Sequence, residues 1–452
     1  MPAMGLGFDA LYVAGGIVSA PVWGYRMLRT GKWRTDWSGR FARGVGIGSV
    51  AADSGACAGG GGPASPTVLI HAVSVGEVNA VAGLVGALAD RLGGGGRLVV
   101  SVTTDTGIAR AKELFEPVHR VVRYPLDFSC CVRRFLDAVG PSVVALTELE
   151  VWPNFVDECY RRGIPVCVVN GRLSERSFKH YRIVRPWLRR TFTRLAAVGA
   201  QTRPYADRFI AMGTPAERVA VLDSMKWDSV ELCEPGQVRG AAELAAAMGI
   251  DRARPVVVAG STGPGEEKLL IETCPAHAQL VLVPRKPERF DEVAALCPGM
   301  VRRSRHPDGN TPPADRGRFF LVDTMGELQK VYALADVAIV GRSFLGLHGS
   351  NPVEPVALGK PTLIGPHHSD FAETVQTLRA AGGIEVTDRP GEAAAELLGD
   401  PDRASEMARR GLETIVSRRG ATRRHVEMLL RQMPAGAGAV GFKGRGVSAA
   451  VV

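Results

Sequence analysis

TVLIHAVSVGEVNA, residues 67–80, passes from a short apolar run through a glycine turn into the start of a helix. A strand that feeds a helix so directly is the opening half of a βαβ unit, in which parallel strands are joined by crossover helices. Ser74 and Glu77 have the spacing of a capping box, where hydroxyl and carboxylate satisfy the free amides of a helix start. The end of a strand also suits a catalytic base, so Glu77 carries two readings, helix cap and proton acceptor.

Downstream the same unit recurs. RLVVSVTT, HRVVRYP, SVVALTELE, IPVCVVN, LAAVGAQT and RVAVLD are valine-rich runs separated by segments of helix length. After residues 229–252 the alternation restarts with PVVVAGST, AQLVLVP, RFFLVDT, DVAIVG, KPTLIG and GIEVT. This predicts an α/β chain of two Rossmann-like, doubly wound domains, with ligands at the carboxyl ends of the strands and in a cleft between the halves. The predicted boundaries are an apolar anchor with a basic flank over 1–47, a glycine-rich linker over 48–66 and a first domain over 67–230. A second domain over 231–433 ends in one helix over 402–433, expected to pack back across the junction, and a disordered tail follows over 434–452.

A chain of 452 residues is long for one core, and 46% hydrophobic with 22% charged residues fits a folded protein rather than a disordered one. The net charge of +9 points to an acidic partner: nucleic acid, an anionic membrane surface or a phosphorylated substrate. The cysteines lack C-x-x-C spacing and no histidines stand at zinc-finger intervals, which indicates neither a disulfide framework nor structural zinc and fits a reducing cytoplasm. At the amino end LYVAGGIVSAPVW, residues 11–23, is uncharged, follows Asp9 and precedes the basic GYRMLRTGKWRTDWSGRFARG. A secretory signal has its positive charge before the apolar core, so export is not expected. The run is short for a span and holds Pro21, which predicts a membrane-associated helix inserted shallowly, with Arg26, Arg29, Lys32 and Arg34 at an anionic leaflet. A buried first helix of the domain is the alternative.

The turns after the strands hold the candidate chemistry. In AGSTGPGEE, residues 259–267, a glycine-rich turn opens a helix whose free amides suit a phosphate. VPRKPERF, residues 283–290, sets Arg285 and Lys286 at a strand end, where a guanidinium can take two phosphate oxygens. In GRSFLGLHGSNPVEPVALGKP, residues 341–361, Asn351 caps a helix, Pro352 takes its first position and Glu354 its first turn. Gly341, Ser343, Gly346 and Gly349 let the preceding loop approach a ligand, and a carboxylate there can hold the vicinal hydroxyls of a ribose. In the first half TELEVWPN, residues 147–154, ends a strand with Glu148 and Glu150 two apart and hence on one side. NGRLSERS, residues 170–177, offers Arg172 and Arg176 to an anionic acceptor or to solvent, and DSMKWD, residues 223–228, places Lys226 near the domain junction.

Together, HAVSVGE, TELEVWPN, NGRLSERS, MKWD, GSTGPGEE, VPRKPERF, DTMGEL and SNPVEP resemble in order and spacing the motifs of the Kdo transferases of lipopolysaccharide assembly, over roughly residues 8–430. The resemblance implies the two-domain GT-B glycosyltransferase fold and inverting transfer of 3-deoxy-D-manno-octulosonic acid (Kdo) from the donor substrate CMP-Kdo to a lipid A precursor. It further implies a phosphorylated glycolipid acceptor, an anionic inner-membrane surface at its cytoplasmic face, no nucleic acid, no cofactor and no metal. Glu77 is the implied general base, with Glu148 and Lys226 supporting the transition state. Ser261, Pro284, Arg285, Met325, Gly326, Glu327, Asn351, Pro352, Val353 and Glu354 are the implied contacts of CMP. A carboxylate at a helix start is expected to stay charged, which lowers its basicity but keeps it ready to accept a proton. Lys286, Arg342 and Ser350 depart from the family's pattern around the nucleotide. The alternatives are a GT-B enzyme or epimerase using another nucleotide sugar, marked by preference for UDP over CMP, and an exported two-domain binding protein, against which the order of charge and apolar core speaks.

Overall fold

The computed structural model describes residues 3–30, 35–43, 65–116, 118–230, 232, 235–307 and 317–433. Nearly all of the predicted linker, the whole predicted tail, Lys32, Arg34 and the side chain of Arg26 lie outside the described residues. The chain divides into two compact units, one reaching to Ser229 and resuming at Gly420, the other Val230–Arg419.

Each unit is built on one seven-stranded parallel sheet. In the first, β1 (Thr67–Ala72), β2 (Arg97–Val102), β3 (Arg120–Arg123), β4 (Val143–Thr147), β5 (Val166–Gly171), β6 (Ala197–Ala200) and β7 (Val219–Val221) lie in the order β3-β2-β1-β4-β5-β6-β7. In the second, β8 (Val256–Thr262), β9 (Gln279–Pro284), β10 (Val301–Arg302), β11 (Phe319–Leu321), β12 (Val337–Val340), β13 (Thr362–Ile364) and β14 (Glu385–Val386) lie in the order β10-β11-β9-β8-β12-β13-β14. The valine-rich runs are uninterrupted because helices cover both faces. Leu69, Val144 and Leu146 fill one apolar cluster, while their neighbours Val68, Ile70 and Val143 fill the cluster on the other side. In both sheets the chain starts at a central strand, winds to one edge, then returns to begin the other half at β4 or β12. The carboxyl ends of β1 and β4, and of β8 and β12, are therefore topological switch points, where crossover connections diverge and leave a crevice.

Three features differ from expectation. Strand β10 is only two residues within a basic stretch, with no apolar run to announce it. The helix expected over 402–433 is two, Pro401–Arg418 and Ala421–Arg431, broken at Gly420, whose φ of +87° favours glycine. The second of these packs on the helix Val75–Leu92, so the residues from Gly420 belong to the first unit rather than the second. Asp228 caps this returning helix, accepting the N–H groups of Gly420 at 2.8 Å and Thr422 at 2.6 Å.

The first helix, Ala3–Thr30, leaves Leu11 61% and Ile17 70% exposed, which excludes a fully buried helix. No helix among the described residues is long and apolar enough to cross a membrane.

Candidate active site

The turns after β1 and β4 adjoin at the switch point of the first sheet. Ser74 caps the helix Val75–Leu92, and its Oγ accepts the Glu77 N–H at 3.4 Å. Glu77 reaches back in turn: Oε2 accepts the Val73 N–H at 3.0 Å, and Oε1 accepts the Ser74 hydroxyl at 3.2 Å. The cap reading therefore holds, yet it does not exhaust the lone pairs of the carboxylate. Burial pushes the Glu77 carboxyl up to about 7, and the charges of Glu148 and Glu150 add to this, against the pull of the Val73 N–H and the Ser74 hydroxyl. The expectation that a helix start would lower its basicity is overturned, because desolvation and two like charges outweigh a short helix end.

Glu148 and Glu150 reach Glu77 by a different route from the one expected. Strand β4 ends at Thr147, and Glu148 has a φ of +58°, so a turn rather than strand alternation brings the two acids together. The Glu148 N–H donates to Val169 O at 3.0 Å, pinning the turn to β5. Glu150 accepts the Trp152 indole N–H at 2.8 Å; burial and the charge of Glu148 push its carboxyl upward, against that hydrogen bond. Asn170, Ser261 and Arg342, at or just beyond the carboxyl ends of β5, β8 and β12, share this left-handed backbone, with φ of +52°, +55° and +58°. Such a conformation costs a non-glycine residue about 1 kcal/mol or more and persists where surrounding contacts hold it.

Lys226 lies in the single turn Met225–Asp228, which packs against the helix headed by Glu77. Asn170, fully buried, suspends this turn: its Oδ1 accepts the Met225 N–H at 3.1 Å, its own N–H donates to His425 Nε2 at 2.9 Å, and its carbonyl accepts from Gln201 Nε2 at 2.8 Å. His425 must then carry its proton on Nδ1, which donates to Ala421 O at 2.8 Å, and burial lowers its pKa, favouring the neutral ring. Arg172 is half-buried and Arg176 exposed.

In the second unit the glycine turn after β8 is organised around Glu266, which is 0% exposed. Its carboxylate accepts four backbone N–H groups: Gly263 at 2.8 Å, Arg342 at 2.6 Å, Ser343 at 2.8 Å and Phe344 at 2.9 Å. The Gly263 amide, expected to be free for a phosphate, is thus already taken. The small residues of the 341–350 loop also serve packing within the unit. A Cβ on Gly341 would lie 2.6 Å from Thr262 Cα, and one on Gly349 would lie 2.9 Å from His368 Cα. Ser350 Oγ donates to Ser261 O at 3.4 Å, so this departure from the family's pattern ties the loop to β8.

The remaining candidates stand at the same carboxyl edge. Pro284 closes β9, and Arg285 follows it, exposed. Burial raises the Glu354 carboxyl, opposed by the Asn351 amide at 3.3 Å and the Arg285 charge, which places Arg285 and Glu354 within electrostatic reach. Asn351 Oδ1 accepts the Val353 N–H at 3.2 Å, but the short helix Val353–Ala357 starts one residue later than expected, so the buried Pro352 rather than Asn351 stands at its cap position. Met325, Gly326 and Glu327 precede the helix Leu328–Ala333 and, with Arg303 and Lys330, line an open cavity of about 460 Å³. Burial alone would raise Glu327, but the Thr324 hydroxyl and the Arg303 guanidinium hold it below its ordinary value. Among the described residues no group of three or more His, Cys, Asp or Glu is placed to hold a metal ion.

Residues 37–229 match the family described as 3-deoxy-D-manno-octulosonic-acid transferase (kdotransferase). A 3-deoxy-D-manno-octulosonic acid transferase of Bordetella pertussis is 33% identical over 446 residues, covering 94% of this chain and 99% of that protein. The chain belongs to the Kdo transferase family. The transferase of the same description from Haemophilus influenzae is 30% identical over 383 residues, covering 81% of this chain and 87% of its own length. Among solved structures, Anabaena HepE in complex with UDP matches with a TM-score of 0.55 at 14% identity, over 81% of this chain and 100% of that one. The UDP-GlcNAc 2-epimerase of Neisseria meningitidis matches with a TM-score of 0.53 at 17% identity, over the same shares. These likenesses bear on the fold alone, which is GT-B.

Sequence reading passed over two residues of this Kdo transferase. Glu266 lies in the glycine-turn motif 259–267, but its partners in the 342–344 loop are far along the chain. Asn170 lies in the same motif as Arg172 and Arg176. Its signal was weak: an asparagine followed by glycine at a strand end tolerates left-handed backbone.

Proposed function

We propose that this Kdo transferase moves Kdo from CMP-Kdo, with inversion, to a hydroxyl of a phosphorylated lipid A precursor in lipopolysaccharide inner-core assembly, at the cytoplasmic face of the inner membrane. The observation that carries the reading is Glu77, whose carboxyl titrates in the neutral range beside Glu148 and Glu150. A base is most effective when its pKa lies near the working pH. The acceptor oxygen forms a bond to the anomeric carbon of Kdo as its proton passes to Glu77. The bond from that carbon to the CMP phosphate oxygen breaks, and its electron pair leaves on the phosphate. Glu148 and Glu150 supply negative potential that favours a positively charged sugar, Lys226 supports the transition state, and Arg285 is suited to the phosphate of CMP. Asn351, Pro352, Val353 and Glu354 form a capped helix start suited to the nucleotide, with Ser261, Pro284, Met325, Gly326 and Glu327 around the same sheet edge. CMP-Kdo is a substrate in this scheme, and no cofactor takes part.

The membrane reading is supported by exposed apolar side chains among cations. Leu11, Val13 and Ile17 project from the first helix, and Ile183 at 74% and Trp187 at 66% exposure stand among the exposed Arg182, Arg185, Arg189 and Arg190. Incubation with CMP-Kdo and a lipid A precursor in anionic vesicles should yield, by mass spectrometry, product heavier by Kdo, while UDP fails to compete with the donor. The protein should cosediment with those vesicles and release into salt. Absence of Kdo addition by folded protein would remove the acceptor assignment, and equal binding to neutral vesicles would remove the electrostatic one.

A further inference from the structure

The first helix and the turn carrying Glu148 and Glu150 meet through one polar cluster. Asp9 Oδ1 accepts the Ser129 N–H at 3.0 Å and an Asn154 Nδ2–H at 2.9 Å. One helical turn on, the Tyr12 hydroxyl donates to Asp127 Oδ2 at 2.8 Å, and its ring stands edge-on to Phe128 at 5.9 Å. Asp127 is buried, and its oxygens accept the N–H groups of Asn154 at 3.0 Å and Phe155 at 2.8 Å, in the first turn of the helix Pro153–Arg161. The Asp127 carbonyl accepts from Asn154 Nδ2 at 2.6 Å. Asn154, itself buried, is thus gripped through backbone and side chain together.

This grip has a mechanical consequence for the site. Thr147 is fixed in β4, where it pairs with Val169 of β5, and Asn154 is fixed by the cluster. Residues 148–153, which carry Glu148, Glu150 and Trp152, run between these two anchors with Val151 buried beneath them. Any shift of residue 154 must be taken up by the turn that holds the two acids.

At Asp9 and Tyr12 the helix is held by hydrogen bonds. No described residue of Ala3–Thr30 joins the two apolar clusters flanking the first sheet, and Leu11, Val13 and Ile17 face outward. Asp9 and Tyr12, three apart, share one helix face. Hydrogen bonds fix a single geometry where apolar contact would tolerate sliding.

We propose that Asp9 and Tyr12 are positioning residues, latching the first helix to the turn after β4 so that the seating of that helix sets the placement of Glu148 and Glu150. The inference rests on those acids serving the reaction with Glu77. Full-length Tyr12→Phe, which removes one hydroxyl, and Asp9→Ala are compared with wild type by hydrogen exchange and by transfer kinetics. Expected are exchange of the 150–158 segment faster by about tenfold, and kcat lower by about tenfold with KM for CMP-Kdo unchanged. Asp9→Asn, which keeps an acceptor oxygen, should restore both. Unchanged exchange at 150–158 would overturn the latch, and so would faster exchange with undiminished kcat. Failure of the catalytic reading is seen separately, as persistent turnover by Glu77→Gln, whatever the exchange shows.

Discussion

Glu77→Gln is expected to slow Kdo transfer by about 10²- to 10⁴-fold in a protein that remains folded. The amide keeps an oxygen for the Val73 N–H and a group to meet Ser74, so the helix start survives. What it loses is the ability to take a proton. Turnover distinguishes base from cap, and the stability change reports the buried charge. The folded carboxyl titrates at about 7, above its ordinary 4.5, so the folded state binds this proton more tightly than the unfolded chain does. Stability is therefore lost as pH rises from the ordinary value through 7, and at pH 8 the buried charge costs on the order of 1–3 kcal/mol. Glutamine removes that cost, and thermal melts at pH 8 should show a variant at least as stable as wild type. A mere cap would instead leave turnover intact, since glutamine serves the capping box as glutamate does. In wild type, kcat/KM should climb as pH rises through about 7 while Glu77 loses its proton. A flat profile, or full turnover by the glutamine variant, would retire Glu77 as the base.

Glu266→Ala should destabilise the second unit by about 3 kcal/mol or more and abolish CMP binding. Four backbone N–H groups, those of Gly263, Arg342, Ser343 and Phe344, lose their acceptor in a place that water does not reach. The loop leading to Asn351 and Glu354 is the part released. Arg342, held at a φ of +58°, has its amide fixed by this carboxylate and should relax first. Chemical denaturation reads the stability and calorimetry with CMP reads the loop. An unchanged midpoint with undiminished CMP binding would show that Glu266 does not organise the donor side.

Much of the fold was legible because parallel strands covered on both faces must be continuous apolar runs. TVLIHA, VVALT and VVVAGST declare themselves by composition alone. The exception is β10, two residues at a sheet edge, where the one buried position, Val301, makes too short a run to read as a strand. The break at Gly420 was legible only as a glycine. Its effect, sending the last helix onto the helix Val75–Leu92, depends on Asp228, nearly two hundred residues earlier.

The site divides in the same way. Ser74 and Glu77 could be paired on paper because a capping box closes within one helical turn, and Asn351 with Val353 for the same reason. The sequence by itself determined the alternation of strands and helices, the restart of the pattern in a second half and the family motifs, since each is written in neighbouring residues. Only the tertiary structure decided that Glu77 is a weak acid, that Glu266 is sealed beneath the 341–350 loop and that Asn170 carries the Lys226 turn. Proton affinity follows from burial and nearby charge, and hydrogen-bond partnership from which distant segments fold together; neither quantity exists until the chain is packed.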